Sequence, residues 1–176
     1  MNYCKPYKNA KPSDITQGFS DTHKANDWVS AYGTWLVAPF NGKVVAIQGA
    51  DKLDSSDFEM ERGCGIRILS IENPEIGFCY WHTLEFFPVK VGDTVLQGQP
   101  IAQMGNTGFV YSNGGYVLIK NRLDGNHPGT HAHISCGTQE EYFDYSKLID
   151  WSIEVKYDLL TTISAVIQNI INFLKK

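Results

Sequence analysis

TWLVAPF (residues 34–40) and, across Asn41-Gly42, GKVVAIQG (residues 42–49) decide the fold. Each is a short β-branched and apolar run, and the Asn-Gly between them is a turn signal. Working outward, GIRILSI (65–71), GFCYWHTL (77–84), TVLQGQPIAQMG (94–105) and THAHISC (130–136) repeat the pattern, with NPEIG, GD and QG as punctuation. Strands spaced by about 8–12 residues with such breaks predict an all-β sandwich or barrel. Pro39 and Pro100 fall near strand ends, where a missing N–H is tolerated. The expectation is a central antiparallel sheet or sandwich with a groove bounded by loops.

Two longer segments interrupt the strands. ADKLDSSDFEMERG (50–63) is acidic and reads as a loop above the sheet, and SNGGYVLIKNRLDGNHPG (112–129) includes YVLIK, a candidate hairpin. Loops of this length are often functional, and these should flank a cleft. Beyond Trp151 the composition shifts. Leu159, Leu160, Ile163, Val166, Ile167, Ile170, Ile171 and Leu174 form an i, i+3, i+4, i+7 stripe, predicting an amphipathic helix within 152–176. Packing on its own domain or self-association with a second copy is the expected use of that stripe. The division is therefore a domain at 1–151 and a helical tail at 152–176.

At 176 residues, 43% hydrophobic and 19% charged, the chain has the makeup of one globular domain with an appendage. A net charge of -4 and no basic run before Lys175-Lys176 argue against nucleic acid as a partner. The first residues lack the apolar core of a signal peptide, and no uninterrupted apolar run reaches transmembrane length, so stable membrane insertion is not expected. Cys4, Cys64, Cys79 and Cys136 lie far apart without CxxC spacing, which excludes a zinc ribbon and favours free thiols.

Four of the five histidines fall where one metal site could use them: His23 in HKAND, His82 in YWH, and His131 and His133 in GTHAH. Positions i and i+2 of a strand share a face, so the imidazoles of His131 and His133 should point one way. His23 and Asp27, four apart, offer a nitrogen and a carboxylate oxygen from one segment. Two nitrogens and one oxygen would leave the fourth position of a tetrahedral zinc open, as hydrolysis requires. Taken singly, a histidine in a mixed-polarity strand is more often a hydrogen-bonded structural residue than a ligand. His127 reads as a solvent-exposed loop residue, and Tyr80 as either cleft or packing, with Trp81 turned into the core.

The order of motifs resembles the lysostaphin/LytM-type zinc endopeptidases of bacterial peptidoglycan. HKAND (23–27), GTWLVAPFNGKV (33–44), YWH (80–82), VKVGDTVLQGQPIAQMGNTG (89–108) and GTHAH (129–133) follow one another as that family's motifs do, over roughly residues 17–136. The glycine run alone also suits biotinyl- or lipoyl-type carriers, but the modifiable lysine is absent, since Gly105-Asn106 follow Met104. The resemblance implies an antiparallel sheet of the duplicated hybrid motif type with a substrate groove. It further implies Zn2+ held by His23, Asp27 and His133, with His82 and His131 as the two non-ligand catalytic histidines. Zinc-dependent hydrolysis of peptidoglycan peptides is the expected function, and a non-catalytic wall-binding or hydrolase-activating module is the alternative. Without a recognisable signal peptide, the chain looks like a phage or prophage lysin, made in the cytoplasm and delivered to the wall. Departures from the family pattern are Ala25 where it has Gly, Asn26 where it has an aliphatic residue, Thr130 where it has Pro, and about twenty added residues after Gly108.

Overall fold

The computed structural model describes residues 2–49, 62–117, 119–122 and 125–156. In chain order the elements are β1 (Ile15–Gln17), β2 (Asn26–Trp28), β3 (Trp35–Val37), β4 (Gly42–Gln48), β5 (Cys64–Ser70), β6 (Gly77–Thr83), β7 (Thr94–Val95) and β8 (Pro100–Gln103). Then come β9 (Tyr111–Ser112), β10 (Gly115–Tyr116), the single turn α1 (Ile119–Arg122), β11 (Ala132–Gly137) and β12 (Tyr142–Phe143). The apolar runs at 34–49, 65–71, 77–84, 94–105 and 130–136 therefore all contain strands. Of the predicted helical tail at 152–176 and the acidic loop at 50–63, residues 157–176 and 50–61 lie outside the described residues, and the described 152–156 are not helical. Among the described residues no helix is long and apolar enough to cross a membrane.

One antiparallel sheet dominates, in the order β1-β2-β11-β6-β5-β4-β7, with β12 against the far end of β11. Alternation gives it two unlike faces. Val44, Ile66, Ile68, Phe78, Tyr80, Ala132, Ile134 and Cys136 point inward and are buried. The β3–β8 pair covers them, contributing Leu36, Ile101 and Ala102 to the same core. The opposite face is left open to carry function.

The N-terminal segment is more buried than its polar composition suggests. Tyr3, Cys4 and Tyr7 enter the interior, and Tyr145 donates its phenol to the Cys4 carbonyl. The inserted segment does add a small hairpin of its own, β9–β10, with the first residue of YVLIK in its second strand. Tyr116 belongs to β10, which pairs β9, while Ile119 begins α1. The four cysteines are free thiols, with Cys4, Cys64 and Cys136 buried.

Candidate functional site

Asp27 and His133 are direct cross-strand partners in the β2–β11 ladder, so their side chains leave the sheet on one face. His133 Nδ1 lies 2.9 Å from Asp27 Oδ1. His23 arrives from the β1–β2 loop, where the Ser20–His23 turn closes through Ser20 N–H to His23 O at 2.9 Å. Its Nδ1 faces the Gly18 carbonyl at 3.1 Å, which fixes the proton there and turns the Nε2 lone pair to Asp27 Oδ2 at 3.4 Å. Donor atoms of His23, Asp27 and His133 all lie within 4.8 Å of one another.

This cluster fits a cation. Asp27 is buried, and its Oδ1 accepts no aligned hydrogen bond; the His133 contact is close in distance but off the line a hydrogen bond needs. A buried carboxylate oxygen left this way is costly unless positive charge meets it. Burial alone would raise the Asp27 pKa, but the His133 ring, then His131 and His23, hold it below the ordinary carboxylate range. The group is thus ionised, and two imidazole nitrogens with one carboxylate oxygen are a donor set that suits Zn2+ with a position left open.

The second pair of histidines is held differently. The β5–β6 register runs from Gly65↔Trp81 to Cys64↔Thr83, so the ladder skips His82. That bulge puts His82 in the left-handed region, with φ 60°, a strained geometry for a non-glycine residue that costs about 1–3 kcal/mol. Strict alternation would send His82 into the core with Tyr80; the bulge instead turns it into the cavity beside Asp27. His82 Nδ1 donates to the Thr107 carbonyl at 2.7 Å, and His131 Nδ1 to the Gly129 carbonyl at 2.8 Å. Their rings are 4.6 Å apart. Burial, and then the neighbouring charge of His131, push the His82 pKa down to about 3, so its ring stays neutral near neutral pH.

One turn organises this pair. In Gly105-Asn106-Thr107-Gly108 the Gly105 carbonyl accepts the His131 N–H at 3.2 Å, while Thr107 offers its carbonyl to His82. Thr107 Oγ1 donates to Thr83 O and accepts from Cys64 N–H, each at 2.8 Å, tying the turn to both strands of the bulge. Asn106 Nδ2 reaches Arg122 O and Pro128 O, anchoring the inserted segment. The glycine run shows in sequence as a strand-and-turn signal; its service to the histidines depends on contacts that spacing does not display.

A cavity of about 540 Å³ joins the two sets, lined by Asp27, His82, His131 and His133, with Phe109, Tyr111 and Ser112 from the insertion. Sequence reasoning passed over Phe109 and Tyr111; the only signal was the length of the insertion. One open alternative is decided and two expectations are corrected. Tyr80 packs in the core and donates to Val37 O at 2.8 Å, and Trp81 lies on the open face, because it pairs in register with His133. His127 is half-buried and stacks on Tyr32 with ring centroids 3.7 Å apart. The unusual residues in HKAND are accommodated. Ala25 has no positive φ, and Asn26 donates its side-chain amide to Asp144 Oδ1 at 3.1 Å, 118 residues away.

The antiparallel β fold thus carries a His–Asp–His cluster that could hold a metal ion, with two further histidines beside it. The model of Peptidase family M23 matches residues 21–128, and the chain belongs to that family. The matched span includes His23, Asp27 and His82 and ends before His131 and His133. Among solved structures, LytU is 26% identical with a TM-score of 0.58, covering 88% of this chain and 99% of its own. The catalytic domain of the antimicrobial peptidase lysostaphin from Staphylococcus simulans is 23% identical, TM-score 0.51, covering 84% and 87%. A zinc-containing peptidase from Vibrio cholerae is 20% identical, TM-score 0.57, covering 90% of this chain. This chain spans 41% of the length of that Vibrio structure. No curated protein sequence matches.

Proposed function

We propose that the chain is a zinc-dependent endopeptidase that hydrolyses peptide bonds in bacterial peptidoglycan. The observation that carries this reading is the Asp27–His133 cross-strand pair with His23 converging on it, Asp27 Oδ1 lacking an aligned donor. Membership of a peptidase family supports the reaction class. His23, Asp27 and His133 would hold the ion. When bound, zinc supplies a Lewis acid that polarises a carbonyl and acidifies water.

The remaining work is proton transfer by the chain's own residues. Because Nδ1 of both His82 and His131 is committed to a backbone carbonyl, each ring presents a bare Nε2. Two rings 4.6 Å apart carry one positive charge far more easily than two. His82 is buried and resists protonation, so it serves as a hydrogen-bond acceptor that orients water. His131, less buried, takes the proton as water adds to the scissile carbonyl carbon. The resulting Nε2–H then protonates the departing amine as the C–N bond breaks.

The test is digestion of purified peptidoglycan. New amino groups should appear without new reducing sugars, a chelator should abolish the release, and added zinc should restore it. Release of reducing ends, or chelator-resistant release of amines, would sink the reading.

A further inference from the structure

A second cavity, of about 750 Å³, lies on the same open face as His133 and belongs to neither histidine pair. It adjoins the first through the β11–β6 ladder, where His133 pairs Trp81 and Ser135 pairs Cys79. Trp81, Cys79 and Ser135 all line it, so the floor of the two cavities is continuous. Its size is that of a small-ligand or short-peptide site.

Two missing side chains shape the floor. A Cβ on Gly65 would stand 2.3 Å from the Trp81 ring, and one on Gly77 would stand 3.3 Å from Arg67 Nε and Nη2. The indole and the guanidinium therefore lie down on bare strand backbone and leave the groove open above them. Arg62 approaches the Trp81 ring, with Cζ 5.5 Å from the ring centroid. Among the described lining residues the charged groups are Arg62 and Arg67, without an Asp or Glu, in a chain whose net charge is -4. Glu75 and Glu140 line the next depression, past Arg67, yet no ion pair with Arg67 forms among the described residues. Gln48, Ser135, Thr138 and Gln139 supply neutral hydrogen-bonding groups.

We propose that this groove selects an acidic peptide, with Arg67 as the residue that binds its carboxylate. A planar guanidinium meets a carboxylate through two parallel N–H···O bonds, a geometry a neutral glycine peptide cannot use. Arg67 sits in the row Ser135–Cys79–Arg67, two strand spacings of about 4.8 Å from β11, so the carboxylate belongs to a residue near the scissile bond but not at it. The proposal rests on the peptidase reading and narrows it to carboxylate-bearing stem peptides over neutral bridges.

The test uses the full chain loaded with zinc and three synthetic stem peptides: one with a free D-glutamyl α-carboxylate and a free C-terminus, and one amidated at each position in turn. The free-acid peptide should show a kcat/KM at least tenfold above one amidated peptide, the difference lying in KM; which amide loses it identifies the carboxylate. In Arg67→Gln the acidic peptide should fall to the level of that amide, with Arg67→Lys between, while zinc content and thermal midpoint report that the fold is kept. Calorimetric binding of the same peptides to zinc-free protein separates the two readings. Arg67-dependent preference in binding without any cleavage supports the groove and defeats the peptidase. Cleavage of all three peptides at equal rates, preference that persists in Arg67→Gln, or no binding to any of them overturns the groove proposal.

Discussion

The two histidine pairs lie within one site yet are built on opposite plans. His23 and His133 converge on a carboxylate, and His133 is placed by a regular strand pairing opposite Asp27. His82 and His131 face each other, each bonds a backbone carbonyl through Nδ1, and they are placed by a bulge and by the Gly105–Gly108 turn. A carboxylate between two imidazoles concentrates donor atoms for a cation. Two imidazoles anchored through Nδ1 keep their other nitrogens bare, which is what proton exchange needs. The difference in support predicts a difference in function.

The comparison breaks most sharply at the carboxylate. Asp27→Ala or His133→Ala should drop zinc from about one per chain to near zero by elemental analysis and take wall hydrolysis to background. His131→Ala should instead keep its zinc while kcat falls by about 10²–10⁴-fold. Loss of metal in His131→Ala together with full metal in His133→Ala would invert the assignment.

Acid should reveal the second pair in chelated protein. The folded pKa of His82, about 3, lies below its ordinary 6.5, so between those values the unfolded chain takes up a proton that the folded chain refuses. The stabilisation is therefore full above about pH 6.5 and drains as pH falls toward 3. Asp27, also lowered, adds to the loss below its ordinary 3.8. Urea midpoints across pH should fall over this window, and His82→Leu should flatten the fall; an equal slope in both proteins would remove His82 as the cause. A smaller effect is expected at the turn. Thr107→Val leaves the Cys64 N–H and Thr83 carbonyl without their shared hydroxyl, costing about 1–3 kcal/mol in urea unfolding. Zinc content should be preserved, because the turn supports only the second pair.

What could be read from the chain follows the range of the forces involved. β4, β5, β6, β8 and β11 are visible because alternation and glycine punctuation are local, and the core residues Ile66, Ile68 and Ile134 follow from the same period. β2 is three residues, Asn26-Asp27-Trp28, two of them polar; its extended form comes from pairing with β1 and β11, which are distant or barely longer than a turn. His82 was legible as a site residue only through the order of motifs, since alternation alone assigns it to the core. The bulge that frees it is a relation between two strands. Arg67 alternates outward between Ile66 and Ile68, as any solvated strand residue does; its place beside Trp81 belongs to the sheet register.

β11 carries His133, Ser135 and Gly137 on one face, the first at the histidine cluster and the other two on the floor of the basic groove. Covalent backbone therefore sets the spacing between the histidine cluster and the groove proposed to choose the peptide, at roughly 7 Å for each same-face step. The strand is a ruler with its zero at His133. On the proposed reading, side chains on β5 and β6 would change which peptide is gripped without moving that zero, so specificity could be retuned while the histidine cluster stays in place.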